Sequence, residues 1–339
     1  MYDVMVAGGG PAGLIAALYG ARAGLNVVVY ERRAGTIDKA CGEGLMPAAV
    51  RGLADLGVTP DGFPIRGIRY LDGRRDVSAA FRSGPGLGVR RTTLHAALRA
   101  AVDAQGIPVC EADVSDVRQF PDRVEAAGTS ARYLIAADGL HSAIRRSCGL
   151  EAPSRFPDRW GQRQHFALEP ETDFVDVHWA AASEAYVTPV AADVLGVAVL
   201  SPYRGSFDDQ LVAFPDLARR LKGARPLTDV RGAGPLRQRA RGRVAGRVLL
   251  AGDAAGYVDA LTGEGIAVAL ATTDKLIACI SRDRPQDYER AWKAAARRSN
   301  RITSGLLWAR QRRLLGRSIV PAAAHAPRVF SFAVQKLAG

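Results

Sequence analysis

A mixed α/β fold is predicted, in which a Rossmann-like nucleotide-binding domain is interleaved with an antiparallel-sheet domain and followed by a C-terminal helical segment. Three observations carry this prediction. A glycine-rich turn separates an apolar strand from a helix at the start of the chain. Two further strand-and-turn segments, LIAADGLHSAIRR and VLLAGDAAGYVDALTGEGI, recur far downstream. Between them lies sequence dense in short, alternating apolar runs. With 339 residues and 48% hydrophobic content, the chain is long enough to bury a core divided between two such units.

The first unit begins with a short buried strand through Val4, Val6 and Ala7. Gly8, Gly10 and Gly13 then fill a G-x-G-x-x-G turn opening a helix that runs to about Arg22. Gly8 permits the tight turn, Gly10 lets the backbone approach a pyrophosphate, and Gly13 lets helix and sheet pack closely. The helix N-terminus therefore faces the phosphates. The next strand, over 26–30, ends at Glu31 and Arg32, which join the glycines as candidate cofactor-binding residues. A carboxylate at Glu31 can accept hydrogen bonds from adenosine ribose hydroxyls, which favours FAD or NAD over a 2′-phosphorylated nucleotide.

A helix follows Met46. Residues 91–150 return to the first domain with a helix, strands near Val109, Val117 and Val124, and a strand over 133–137 leading into Asp138 and Gly139. Residues 237–281 complete it, with Gly252 and Asp253 after a strand over 248–251 and a helix over 264–280. The nucleotide domain thus takes 1–60, 91–150 and 237–281. The second domain takes 61–90 and 151–236, where RQHFALEP, FVDVHWAA, EAYVTPV and VLGVAVLS read as strands. The remainder, 282–339, is basic and helical, punctuated by Pro321 and Pro327.

Taken together, these segments resemble the FAD-dependent monooxygenases of the para-hydroxybenzoate hydroxylase fold and their relatives, the geranylgeranyl reductase-like flavoproteins. The resemblance implies FAD as cofactor. It places Asp138 and Gly139, with Ser142 and Arg145, in the family's D-G motif, and implies that Asp253 hydrogen-bonds the ribityl chain. It also implies that the backbone from Gly263 to Gly265 faces the flavin pyrimidine edge. The positive end of the helix beginning there would stabilise a reduced flavin. Arg91 matches the arginine that opens a helix beside the cofactor, although Arg90 competes for the register. With one dinucleotide fingerprint present, electrons are expected from NADPH or NADH docking transiently, as the resemblance favours, or from a separate reductase.

Two reactions follow from the resemblance. One is hydroxylation of a hydrophobic aromatic or polyketide-derived metabolite through a flavin C4a-hydroperoxide, with O2 as co-substrate. The other is reduction of prenyl or related alkene double bonds, because CGEGLMP over 41–47 resembles the C-G-x-G motif of geranylgeranyl and menaquinone reductase-like proteins. Those reductases carry Y-x-W-x-F-P where this chain reads EAYVTP: Glu184 replaces the Tyr, Tyr186 the Trp and Thr188 the Phe, leaving Pro189 intact. A redox-neutral cyclase or a flavin-binding scaffold is a third possibility, and the W-x-W-x-I-P signature of flavin halogenases is missing. The catalytic candidates are Cys41, Tyr186 and His178, with His165 on a neighbouring strand. Gly42 and Gly44 would let the backbone skirt the flavin ring.

Cys41, Cys110, Cys148 and Cys279 show neither metal-ligand spacing nor a disulfide pattern. Apolar stretches are short and interrupted, so neither a signal peptide nor a spanning helix is expected, and the protein is expected to be cytoplasmic. The formal net charge of +12 is local. Residues 290–339 hold eleven Lys or Arg and no Asp or Glu, interspersed with Trp292, Ile302, Leu306, Leu307, Trp308, Leu314, Leu315 and Ile319. Two readings stay open: amphipathic helices packed on the flavin domain with solvated arginines, or peripheral contact with an anionic bilayer. Nucleic acid is not expected as a partner, because no binding motif accompanies the charge.

Overall fold

The computed structural model describes residues 1–154 and 157–339, with the side chains of residues 313 and 314 excepted. Leu314, one of the apolar positions of the basic segment, is thus outside the described side chains.

The chain opens with β1 (Tyr2–Ala7), α1 (Pro11–Arg22) and β2 (Val27–Glu31). All five residues of β2 are buried, as befits a strand covered on both faces of a parallel sheet. Pro11 occupies the first turn of α1, where its missing N–H costs nothing. Then come α2 (Pro47–Ala54), β3 (Gly67–Leu71), β4 (Asp76–Ala80) and α3 (Arg91–Ala104). Beyond these lie β5 (Val109–Glu111), β6 (Thr129–Ala136) and the short α4 (Ala143–Ser147), capped by the Ser142 hydroxyl accepting from the Arg145 amide. The second domain adds β7 (Trp160–Ala167), β8 (Phe174–Trp179), β9 (Glu184–Ala191) and β10 (Val194–Ser201), then α5 (Phe207–Leu211) and α6 (Pro215–Leu221). The chain finishes with β11 (Val248–Leu250), α7 (Gly265–Ser281), α8 (Tyr288–Gln311), α9 (Arg313–His325) and α10 (Pro327–Ala338).

The central path of the first sheet runs β11-β6-β1-β2-β5, parallel throughout. Helix α1 packs on β1, β2 and β6 and against both α3 and α7, and the glycine-rich turn that opens it lies at the C-terminal edge of β1.

The second sheet runs β7-β10-β9-β8-β3-β4. It is antiparallel except where β3 meets β8, a parallel pair. That exception arises because β3 belongs to the early excursion from the first domain and joins a sheet whose other strands come from a later one. Side chains alternate between its faces. Ala185, Val187, Leu195, Val197 and Val199 form the outer face and pack on α5 and α6. Ile68, Tyr70, Val175, Val177 and Tyr186 form the inner face, closed by Val320, Phe330 and Val334 of the last two helices.

Helix α8 packs along α7, and α9 and α10 fold back onto β4. Pro321 lies inside α9 rather than ending it; the preceding Val320, only 2% exposed, is anchored in the inner cluster. At the far edge of the sheet, Gln335 of α10 donates to the Ala80 carbonyl at 2.6 Å and accepts from the Arg82 amide at 2.9 Å. Among the described residues, no helix is long and apolar enough to cross a membrane.

Candidate functional site

The turn after β1 is built from glycines that nothing larger fits. Gly8 has φ +107°, and a Cβ there would lie 2.4 Å from the Ala137 carbonyl oxygen. At Gly13 a Cβ would lie 1.8 Å from the Gly8 oxygen. Gly10 differs: the nearest atom to its Cβ position is Arg91 Nη2, at 4.0 Å, so the backbone is open on that side and a cation stands across the gap. Glu31 accepts from the Gly9 amide at 2.8 Å and from Arg33 Nε at 2.8 Å. Burial pushes its pKa up, but the bonds from Arg33 and Gly9 outweigh burial and the net shift is downward, keeping it a carboxylate. Arg33, not Arg32, is thus the arginine that engages Glu31, and Arg32 points to solvent. His95 of α3 backs the turn, its Nδ1 accepting from the Ile37 amide at 3.4 Å and its Nε2 donating to the Gly9 oxygen at 3.0 Å. Burial lowers its pKa, which suits that neutral tautomer.

The D-G and G-D segments are tied by Arg145. It is fully buried and donates to the Leu140 and Ala254 oxygens and to Gln238 Oε1 at 2.9 Å. Asp138 Oδ2 accepts from the Ile144 amide, while Oδ1 is buried without a partner. Asp253 is about one-third exposed and lies 3.6 Å from Lys39 Nζ. Gly263 (φ +67°) turns the chain into α7, whose N-cap Glu264 makes no side-chain cap.

Substrate-side geometry centres on the Cys41–Gly44 loop. Glu43, at φ 59° and 3% exposed, accepts from the Arg91 amide at 2.9 Å and from His165 Nε2 at 2.7 Å, with Arg163 Nε at 3.7 Å. Thr188 donates to the Gly42 oxygen at 2.8 Å, so β7 and β9 both clamp the loop. The Cys41 thiol stays half-buried, accepting from the Glu43 amide at 3.4 Å. Tyr257, after the G-D turn, lies near the Asp253 and Asp259 carboxylates; burial first, then those charges, push its pKa well above 10.

Tyr186 is on the inner face, its hydroxyl donating to the Leu261 oxygen at 2.9 Å, and burial raises its pKa well above 10. His178 is not beside it. In the β8–β9 register Val177 pairs with Tyr186 and His178 with Ala185, which places His178 on the outer face. There burial lowers its pKa, with Asp176, Arg220 and Arg69 the nearest charges. The expectation that His178 meets substrate is therefore corrected: strand alternation turns it away. The inner-face histidine is His165, on β7. Glu184, also on the inner face and fully buried, is bonded to Arg159 and to Arg310 of α8. Arg159 reaches on to Asp259 at 3.0 Å. Burial pushes the Asp259 carboxyl up to about 6 against the pull of Arg159, and Glu184 adds to the rise.

Sequence reasoning overlooked Glu43, Tyr257 and the Arg159–Glu184–Arg310 cluster. One signal pointed to Glu43: Gly196 interrupts the apolar run VLGVAVLS, and a Cβ there would lie 2.6 Å from Glu43 Oε2.

The sequence matches the FAD binding domain family over residues 1–62 and 90–282. The chain belongs to the FAD binding domain family. It is 28% identical to digeranylgeranylglycerophospholipid reductase 2 of Methanosphaera stadtmanae over 299 residues, covering 79% of this chain and 75% of that protein. It is 29% identical to the menaquinone reductase of Mycobacterium tuberculosis over 313 residues, 80% of this chain and 74% of that one. Among solved structures, a triple mutant of the flavin-dependent brominase Bmp2 superposes with a TM-score of 0.84 at 18% identity, covering all of this chain and 94% of that one, a likeness of fold.

The residues fit FAD. The open side of Gly10, facing Arg91, admits a pyrophosphate. The unpartnered Asp138 Oδ1 and Arg91 Nε supply an acceptor and a donor, and the Cβ positions of Gly42, Gly139 and Gly265 face open space. Glu31 would hold the ribose, Arg91 the phosphates, Asp253 the ribityl chain, and the first amides of α7 the flavin ring. The chain is a FAD-dependent oxidoreductase.

Proposed function

We propose that this FAD-binding protein reduces isolated carbon–carbon double bonds in a long apolar, prenyl-type chain. The observation that carries the reading is the half-buried Cys41 thiol, presented by a clamped loop at an inner face whose neighbouring ionisable groups are already engaged. Glu184 and Asp259 are bound by arginines, His165 by Glu43, and Tyr186 and Tyr257 are phenols that stay protonated at neutral pH. A phenolic substrate would find no free base among these groups, whereas an alkene needs none.

Saturating an alkene adds a hydride to one carbon and a proton to its neighbour. Reduced FAD, when bound, supplies the hydride. Cys41 supplies the proton from Sγ, and the thiolate left behind is reprotonated from solvent. NADPH or NADH, docking transiently, is the proposed electron source. Met46 and Leu261 beside the flavin segment pack with Val320 and Phe330 of the last helices in one apolar cluster, which a prenyl chain would have to part to enter. The reductase names of the two sequence relatives agree with this choice.

The test is anaerobic. Enzyme reduced with dithionite and mixed with a geranylgeranyl lipid is expected to regain its oxidised flavin spectrum, with a product two hydrogens heavier per bond by mass spectrometry. Cys41→Ser is expected to slow this step by roughly 10²-fold or more, the range of a positioned general acid. Hydroxylation of an aromatic or polyketide-derived ring is a second reading, favoured by one observation: Glu184 and Thr188 stand where prenyl reductases carry aromatics. Stable reduced flavin without O2, together with air-dependent oxygen transfer to an added phenol, would replace the first reading with the second.

A further inference from the structure

We propose that the exposed face of the C-terminal helices docks on an anionic lipid bilayer. On α8, Arg290, Ala294, Arg297, Arg301, Gly305 and Trp308 are all exposed and recur at three- and four-residue intervals, with Arg312 continuing the spacing just past the helix end. This spacing places them in one stripe along a helix about 36 Å long. The opposite stripe, through Trp292, Ala296, Thr303 and Leu307, is buried against the rest of the molecule. The helix therefore has one packed face and one cationic face that meets solvent.

Beyond Arg290, which lies 3.8 Å from Asp287, that cationic face is unneutralised among the described residues. No Asp or Glu occurs between 290 and 339, and Arg297, Arg301 and Arg312 form no ion pair among the described residues. Arg297, Arg298 and Arg301, with Ala294 and Ile302, border a shallow groove on this surface. A phosphate-bearing surface matches the charge.

Apolar side chains choose between phosphate-bearing surfaces. Of the eight large hydrophobic residues exposed among the described ones, four fall between 308 and 332: Trp308 at 52%, Leu315 at 42%, Val329 at 67% and Phe332 at 62%. Arg312 lies over the Trp308 ring at 4.3 Å and Lys336 over Phe332 at 5.3 Å. An aromatic ring with a cation folded over it suits the boundary between acyl chains and headgroups, where the ring enters and the charge stays out. A nucleic-acid backbone offers the charge without an apolar layer. A second copy of the chain would bring the same positive charge and repel. The anionic bilayer accounts for both features.

The experiment is co-sedimentation of the full FAD-loaded protein with vesicles of phosphatidylcholine alone, or of two parts phosphatidylcholine to one part phosphatidylglycerol. Binding is expected only to the second and is expected to be released by high salt. The pairs Arg297→Glu with Arg301→Glu, and Trp308→Ser with Phe332→Ser, are each expected to weaken binding at least tenfold while the flavin spectrum stays unchanged. Equal binding to both vesicles, or undiminished binding by either pair, would overturn the proposal. So would duplex-oligonucleotide binding without vesicle binding, or a dimer in gel filtration that the substitutions abolish in a protein indifferent to vesicles.

Discussion

Glu43 gathers an amide from α3, an imidazole from β7 and the Arg163 guanidinium around one buried carboxylate. Glu43→Ala would leave the buried His165 Nε2 and the Arg91 amide without their acceptor and would take a carboxylate from 3.7 Å beside the buried Arg163. Asp38, its other partner, is bonded on the solvent side. Leaving a buried donor without its acceptor typically costs about 1–3 kcal/mol, and the urea midpoint of the variant is expected to fall accordingly at unchanged slope. His178→Leu, by contrast, is expected to leave flavin binding and steady-state turnover unchanged, because the side chain faces α6; a large fall in turnover would place His178 in the substrate path. These two residues mark how far a single sequence reaches. The strand carrying His178 was legible from its alternation, but which side of the sheet each histidine takes depends on register, and a shift of one position exchanges the faces. Glu43 is the unspecified position of C-G-x-G, and its partner His165 lies 122 residues away.

The glycine turn between β1 and α1 was readable because all its requirements are local: strand, tight turn, close packing and acid fall within thirty-one residues. Its glycines are not equivalent, however. Gly13→Ala is expected to leave little folded protein, since its Cβ would overlap the Gly8 oxygen. Gly10→Ala is expected to fold with near-normal melting yet lose at least about tenfold in FAD affinity, equivalent to about 1.4 kcal/mol, measured by flavin fluorescence quenching. Equal behaviour of the two variants would show that the open side of Gly10 is not where the cofactor approaches. The EAYVTP strand was legible as a departure from prenyl reductases but not in its consequence. Glu184 is satisfied by Arg159 and by Arg310, 25 and 126 positions distant, and so acts as a structural anchor for α8.

That anchor joins three parts of the molecule: the inner sheet face, the loop after the G-D turn and the C-terminal helices. Its pH response follows from Asp259, whose pKa rises from 3.8 to about 6 on folding. The folded protein then binds more protons than the unfolded chain between those values, so the Asp259 contribution is fully present below pH 4 and is lost as pH rises through 6. Asp259→Asn is expected to match the wild type near pH 4 and to be the more stable protein by up to about 3 kcal/mol at pH 7, at 1.36 kcal/mol per unit. Thermal melts of both proteins across that range check it, and a constant difference would place the carboxyl pKa near its ordinary value.

The bonds from Gln335 to β4 have a consequence for solubility. β4 is the last strand of its sheet, and a strand end with free amides and carbonyls is a template for pairing with another molecule. Gln335 engages one carbonyl and one amide there, with a side chain in place of a neighbouring strand. Helices α9 and α10 therefore serve as a guard against edge-to-edge aggregation.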